Sequence, residues 1–156
     1  MTHFNISADV ATILATTTPA TKGDLYEWAL CRHFGIERTK HDNSRYDKGS
    51  DIELPNGQNI SVKFGGCSLM YGGLCEGQTT MDGIWGVFES HVHSNMFAVV
   101  TSLCDVFMMT LAEFKEFTFT FATIQRESSC NGGYAKIKFN NETKKRNRWL
   151  MAKAGI

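Results

Sequence analysis

At 156 residues with 42% hydrophobic content, the chain is long enough to bury one core without disulfide or metal staples. Its formal net charge of zero argues against a generic polyanion binder. No stretch approaches the roughly 18 apolar residues of a membrane span, and Met1-Thr2-His3-Phe4-Asn5 lacks the basic and apolar regions of a signal peptide.

The five cysteines (Cys31, Cys67, Cys75, Cys104, Cys130) are odd in number, irregularly spaced and without a CxxC pair. That pattern predicts free thiols in a reducing, cytoplasmic setting. Charge is unevenly placed. From Tyr134 onward seven basic residues stand against Glu142 alone, a local +6 that leaves −6 elsewhere. A basic tail on an acidic body can line one groove with positive charge, and a solvated terminal helix has the same composition.

In chain order, Ser7 to Thr17 predicts a short helix capped by Ser7 and ended by Thr16-Thr17-Thr18-Pro19. Thr21 predicts the cap of a second helix over Lys22 to Phe34, with Leu25, Trp28 and Ala29 at helical spacing and Gly35 closing it. Residues 36–49 are polar and irregular. Asp51 to Leu54, a Pro55-Asn56-Gly57-Gln58 turn and Ile60 to Phe64 predict a β-hairpin. A glycine-rich stretch from Gly65 to Gly77 follows, then a helix over about Thr80 to His91. Met96 to Thr101 and Val106 to Met109 read as buried strands joined near Cys104-Asp105. Thr110 is placed to cap a helix through Phe117. The alternation of Phe117, Phe119 and Phe121 leaves a strand open there. Tyr134 to Phe139 predicts a strand and Glu142 to Ala154 a closing basic helix, anchored by Trp149 and Leu150. No repeat or domain boundary is visible. The expectation is one α/β domain over residues 1–156, a mixed central sheet flanked by helices.

The hairpin turn decides which side chains share a face. A two-residue Asn56-Gly57 loop pairs Asp51 with Val62 and sends Asp51 and Lys63 to opposite faces. A three-residue Pro55-Asn56-Gly57 loop, with Gly57 in the left-handed bulge position, pairs Ile52 with Ile60 and Asp51 with Ser61. Asp51, Glu53, Ser61 and Lys63 then share one face, and Ile52, Leu54, Ile60, Val62 and Phe64 the other. This register separates polar from apolar and is the one expected. An amphipathic hairpin with one face in solvent gives the same alternation with no chemistry.

Gly49-Ser50-Asp51-Ile52, followed by Ser61-Val62-Lys63, resembles the core of the PD-(D/E)XK nucleases, which include type II restriction endonucleases and Holliday-junction resolvases. That family pattern is a strand-borne Asp, a turn, then Glu/Asp-x-Lys on the next strand. A helix ahead of the hairpin often supplies a Glu, and Glu27 occupies that place. The resemblance covers about residues 22–64. It implies a restriction-endonuclease-like fold and a Mg²⁺-dependent DNA endonuclease, with Mn²⁺ as a substitute ion. Asp51 and Glu27 would be metal ligands, and the Val62 carbonyl a further one. Lys63 would act on the attacking water and the phosphate. Ser61 would place a water or a weak ligand. Position 61 departs from the pattern, because the family has an acid there. Glu27, or Glu53 on the face of Asp51, would then supply the second carboxylate. Failing both, the fold would be an inactive module that binds DNA or protein.

On the same resemblance, Arg45, Tyr46 and Lys48 ahead of Asp51, and Lys144, Lys145, Arg146 and Arg148 near the end, are the expected DNA contacts. One site cuts one strand, so cleavage of a duplex implies a homodimer. Surface ion pairs, Asp51 with Lys63 or Glu27 with Arg32, would explain the same charges without catalysis. His91-Val92-His93 has metal-ligand spacing on a strand but lacks a third ligand nearby.

Overall fold

The computed structural model describes residues 1–37, 51–64, 68–69, 80–92, 94–127, 134–139 and 142–156. Strand β1 (Thr2–Asn5) leads into helices α1 (Ser7–Thr16) and α2 (Lys22–Phe34). The hairpin β2 (Ile52–Glu53) and β3 (Asn59–Phe64) follows, then β4 (Ser68–Leu69) and α3 (Met81–His91). Next come β5 (Met96–Val100), β6 (Asp105–Thr110) and α4 (Leu111–Phe121). The chain closes with β7 (Ala122–Glu127), β8 (Tyr134–Phe139) and α5 (Thr143–Lys153). A five-stranded mixed sheet has the order β1-β6-β5-β3-β2, and a three-stranded sheet the order β4-β8-β7. Only β3 and β5 run parallel in the larger sheet, and α3 lies in the connection between them, as a parallel pair requires.

Local chemistry sets most element ends. The Thr21 hydroxyl accepts the Asp24 N–H at 3.1 Å, and Gly35 ends α2 at φ +69°, a left-handed conformation that glycine adopts without steric cost. Thr21→Ala is expected to lower stability by about 1 kcal/mol, read as a reduced denaturation midpoint. Thr110 and Glu113 form a reciprocal capping box at the start of α4. That box, and burial of Phe114, Phe117, Thr118 and Phe121 on one helical stripe, resolve the alternation in favour of helix, leaving Phe119 at the surface. Ser7 does not cap α1. It is the first helical residue, and its N–H donates to Asn5 Oδ1 at 2.9 Å.

Each face of the five-stranded sheet has its own core, because alternate strand residues point to opposite sides. Phe97, Val99, Phe107 and Met109 meet Ile84, Trp85 and Phe88 of α3, Phe114, Phe117 and Phe121 of α4 and Leu150 of α5. On the other face, Ile52, Ile60, Val62, Ala98, Val100, Val106 and Met108 meet Tyr26, Ala29, Leu30 and Cys31 of α2.

Strands β1, β4 and β7 were not expected. β1 pairs with β6 over Thr2–Asn5 with Phe4 on the core, and side-chain bonds reinforce that pairing. Asp105 Oδ1 lies 2.9 Å from His3 Nε2 and accepts from Asn5 Nδ2 at 3.1 Å. Burial works against ionisation of Asp105, but the hydrogen bonds from Asn5 and His3 and the charge of His3 outweigh it. They hold its carboxyl below the usual carboxylate range. A native value below the unfolded one, about 3.9, means that ionised Asp105 stabilises the fold above that pH. The contribution is lost as pH falls through the native value. Asp105→Asn is therefore expected to flatten the acid limb of the Tm profile below about pH 5. An unchanged limb would show that Asp105 does not tie β1 down.

Candidate functional site

The hairpin adopts the three-residue loop. Ile52 pairs with Ile60 and Glu53 with Asn59, the Leu54 N–H donates to the Gln58 carbonyl at 2.8 Å, and Gly57 stands at φ +84°. Asp51 lies one residue beyond this ladder and bends toward β3. Its N–H donates to the Ile60 carbonyl at 2.8 Å, one residue off the Ile52 pairing. Its Oδ2 then accepts the Val62 N–H at 2.7 Å and the Ser61 hydroxyl at 3.5 Å. The carboxylate thus takes the place of a strand carbonyl at the edge of β3, through a charge-assisted bond of the strong kind. The N–H and C=O of one strand residue point to the same side, so the Val62 carbonyl is also directed to the Asp51 edge rather than toward β5.

Ser61 is 1% exposed. Its ladder neighbour is Phe97, and that of Lys63 is Val99, both members of the core under α3 and α4. The polar side of β3 therefore continues into a buried aromatic layer rather than a solvated face. Lys63 itself is half-buried near the end of the strand.

Glu27 is half-buried on α2, which packs on the Ile60 and Val62 side of the sheet. A Cβ added at Gly23 would stand 3.6 Å from the Phe64 ring, and Tyr26 meets the same ring at 5.6 Å. The first turns of α2 thus cross the end of β3. Glu27, four residues after Gly23, lies across the sheet from Ser61 and Lys63. Glu53 is exposed, opposite Asn59. Among the described residues no group of three or more His, Cys, Asp and Glu is placed to share a metal ion. Asp51, Glu27 and Glu53 thus do not form a three-carboxylate cluster.

Arg32 of α2 does have a partner on another helix, its Nε lying 3.6 Å from Asp9 Oδ1. On α5, Lys144, Lys145 and Arg148 are exposed, with Lys145 Nζ 3.5 Å from Glu142. Arg146 differs from them, being 6% exposed. Trp149 packs against Phe117 and Phe121, and Leu150 is 1% exposed, so α5 is anchored on the sheet face that also carries Lys63. Arg45, Tyr46, Lys48, His93 and most of the glycine-rich stretch lie outside the described residues, as does the His91 side chain. Cys31 and Cys104 are free thiols, and no described helix is long and apolar enough to cross a membrane.

The tie from Asp51 to the Val62 N–H was not anticipated. Its sequence signal is an aspartate one position before a strand whose register is already fixed by the turn. No protein-family model, curated protein or solved structure matches the chain.

Proposed function

We propose that the chain is a Mg²⁺-dependent DNA endonuclease of the PD-(D/E)XK type, hydrolysing phosphodiester bonds at the Asp51 end of the hairpin. The observation that carries this reading is the bend of Asp51. It brings a carboxylate onto the edge of β3 beside the Val62 carbonyl, with Lys63 one residue further along the same strand. The helix–hairpin–helix–strand order agrees with the resemblance. A type II restriction-like substrate is the first reading, a Holliday junction the second, and a homodimer supplies the second cut.

The donors fit the ion. Magnesium takes hard oxygen ligands, uses one or two carboxylates and keeps waters and substrate phosphates for the rest. Asp51 and the Val62 carbonyl would hold it, with Glu27 joining directly or through water. When bound, it would polarise the phosphate and lower the pKa of the attacking water. Lys63 places an ammonium where charge develops on the phosphate. Ser61 supports Asp51 from the buried side. Lys144, Lys145 and Arg148 present charge for backbone phosphates, and each phosphate they neutralise steepens the salt dependence of binding.

Ser61 also favours a second reading, a binding module that keeps the fold without the reaction, because a neutral residue stands where the family has an acid. Plasmid incubated with purified protein and Mg²⁺ separates the two. Nicking or linearisation that EDTA abolishes supports the nuclease. DNA retention with no cleavage, and no calorimetric binding of Mg²⁺ or Mn²⁺ at millimolar concentration, supports the module.

A further inference from the structure

Helix α1 is held differently from the other helices. None of its ten residues is buried, and Leu14 is 58% exposed. Four of its residues (Val10, Thr12, Ile13, Thr16) are β-branched, which lowers helix propensity. Its N-cap, Ile6, makes no side-chain capping bond. The Thr12, Thr16 and Thr17 hydroxyls bond back to carbonyls of their own helix at 2.8–3.0 Å. A helix of this length has little stability of its own in water.

The attachments of α1 are local. Val10 and Ile13 rest partly on the core under α2. Asp9 reaches across to α2, where Oδ1 lies 3.6 Å from Arg32 Nε and Oδ2 lies 3.4 Å from His33 Nδ1. The His33 ring is itself stacked on Phe4 of β1 at 4.4 Å. Below this clasp, Ile6 is fully buried and its N–H donates to the Cys104 carbonyl at 2.9 Å. The chain is thus pinned at Ile6 and only clipped above it.

We propose that α1 is a strap that opens as a unit while the central sheet stays folded, hinged at Ile6 and fastened by the Asp9 clasp on Arg32 and His33. Opening uncovers the two α2 side chains that the carboxylate engages and the apolar contact of Val10 and Ile13. The device belongs to the fold and does not depend on the proposed reaction. Local opening of this kind is expected where few apolar contacts hold an element.

Hydrogen exchange by mass spectrometry on the full chain tests it. Amides of residues 10–17 are expected to exchange orders of magnitude faster than those of β5 and β6. Asp9→Asn is expected to raise their rate a further ~3- to 10-fold, the range that partly exposed carboxylate contacts support. The β5 and β6 rates should not change. Protection of residues 10–17 equal to that of the sheet would overturn the proposal, and so would an Asp9→Asn protein whose α1 exchange matches wild type.

Discussion

Lys63→Ala is expected to lower Mg²⁺-dependent DNA cleavage by about 10²–10³-fold, the loss typical of removing one group that stabilises transition-state charge. Lys63→Met keeps most of the apolar stem against the sheet and removes only the ammonium, so it should lose as much activity with little loss of stability. Asp51 needs a finer dissection because the carboxylate does two things. Its Oδ2 accepts the Val62 N–H at 2.7 Å, and Val62 is 9% exposed. Asp51→Ala leaves that N–H without this partner, which costs about 1–3 kcal/mol in addition to any catalytic loss. Asp51→Asn retains a side-chain oxygen for the same bond but removes the charge. The Asn variant is therefore expected to fold close to wild type and to cleave at least about 10²-fold more slowly. Cleavage rates measured alongside denaturation midpoints separate the two roles. Wild-type rates in both Lys63→Met and Asp51→Asn would remove these residues from the chemistry.

The second large effect is structural. Phe114→Ala is expected to cost about 3–5 kcal/mol, a large share of the roughly 5–15 kcal/mol available to a typical domain. Phe114 is fully buried, stacked on Phe97 with centroids 4.3 Å apart and 6° between planes, and edge-on to Trp85 at 5.8 Å. Phe97 is the ladder neighbour of Ser61, so this stack also backs the buried side of the proposed site. Phe119→Ala, on the same helix but at 41% exposure, should cost about 0.5 kcal/mol or less. Urea midpoints give the contrast directly. Similar losses at both positions would contradict the helical burial stripe.

The contrast between Phe114 and Phe119 shows where sequence reasoning reached its limit. Alternation at Phe117, Phe119 and Phe121 suits a strand, while Thr110 and Glu113 suit a helix start. The capping box decides, since it satisfies two backbone donors locally at the helix start. Local chemistry of this kind was legible elsewhere too. Thr21 and Gly35 bound α2, and Pro55-Asn56-Gly57 sets the hairpin register. What local signals could not convey was pairing at a distance. β1 pairs with β6 and is tied to it by Asp105, 100 residues away from Asn5, and no periodicity in Thr2-His3-Phe4-Asn5 announces that. The solvated hairpin face was an alternative drawn from alternation alone. It fails at Ser61 because α3 and α4 cover that side of the sheet.

The proposed site divides in the same way. The expected shared face of Asp51, Ser61 and Lys63 rested on turn chemistry. The three-residue loop is observed, but Asp51 lies beyond the ladder, is not paired with Ser61, and turns its carboxylate to the Val62 N–H at the β3 edge. That bend did not follow from the turn, because it depends on the strand ladder ending at Ile52. Nor did the position of Glu27 across the sheet, which depends on how α2 crosses Phe64. Arg146 was grouped with its exposed neighbours by charge, and its burial reflects its position on α5.

The central claim is that a divalent ion works at the Asp51 edge of β3. Anomalous diffraction from crystals grown with uncleaved DNA and soaked in Mn²⁺ tests it most directly. A peak is expected within bonding distance of the Asp51 carboxylate and the Val62 carbonyl. Crystals that cleave their DNA on soaking while showing no manganese at Asp51, or manganese bound only elsewhere, would contradict it.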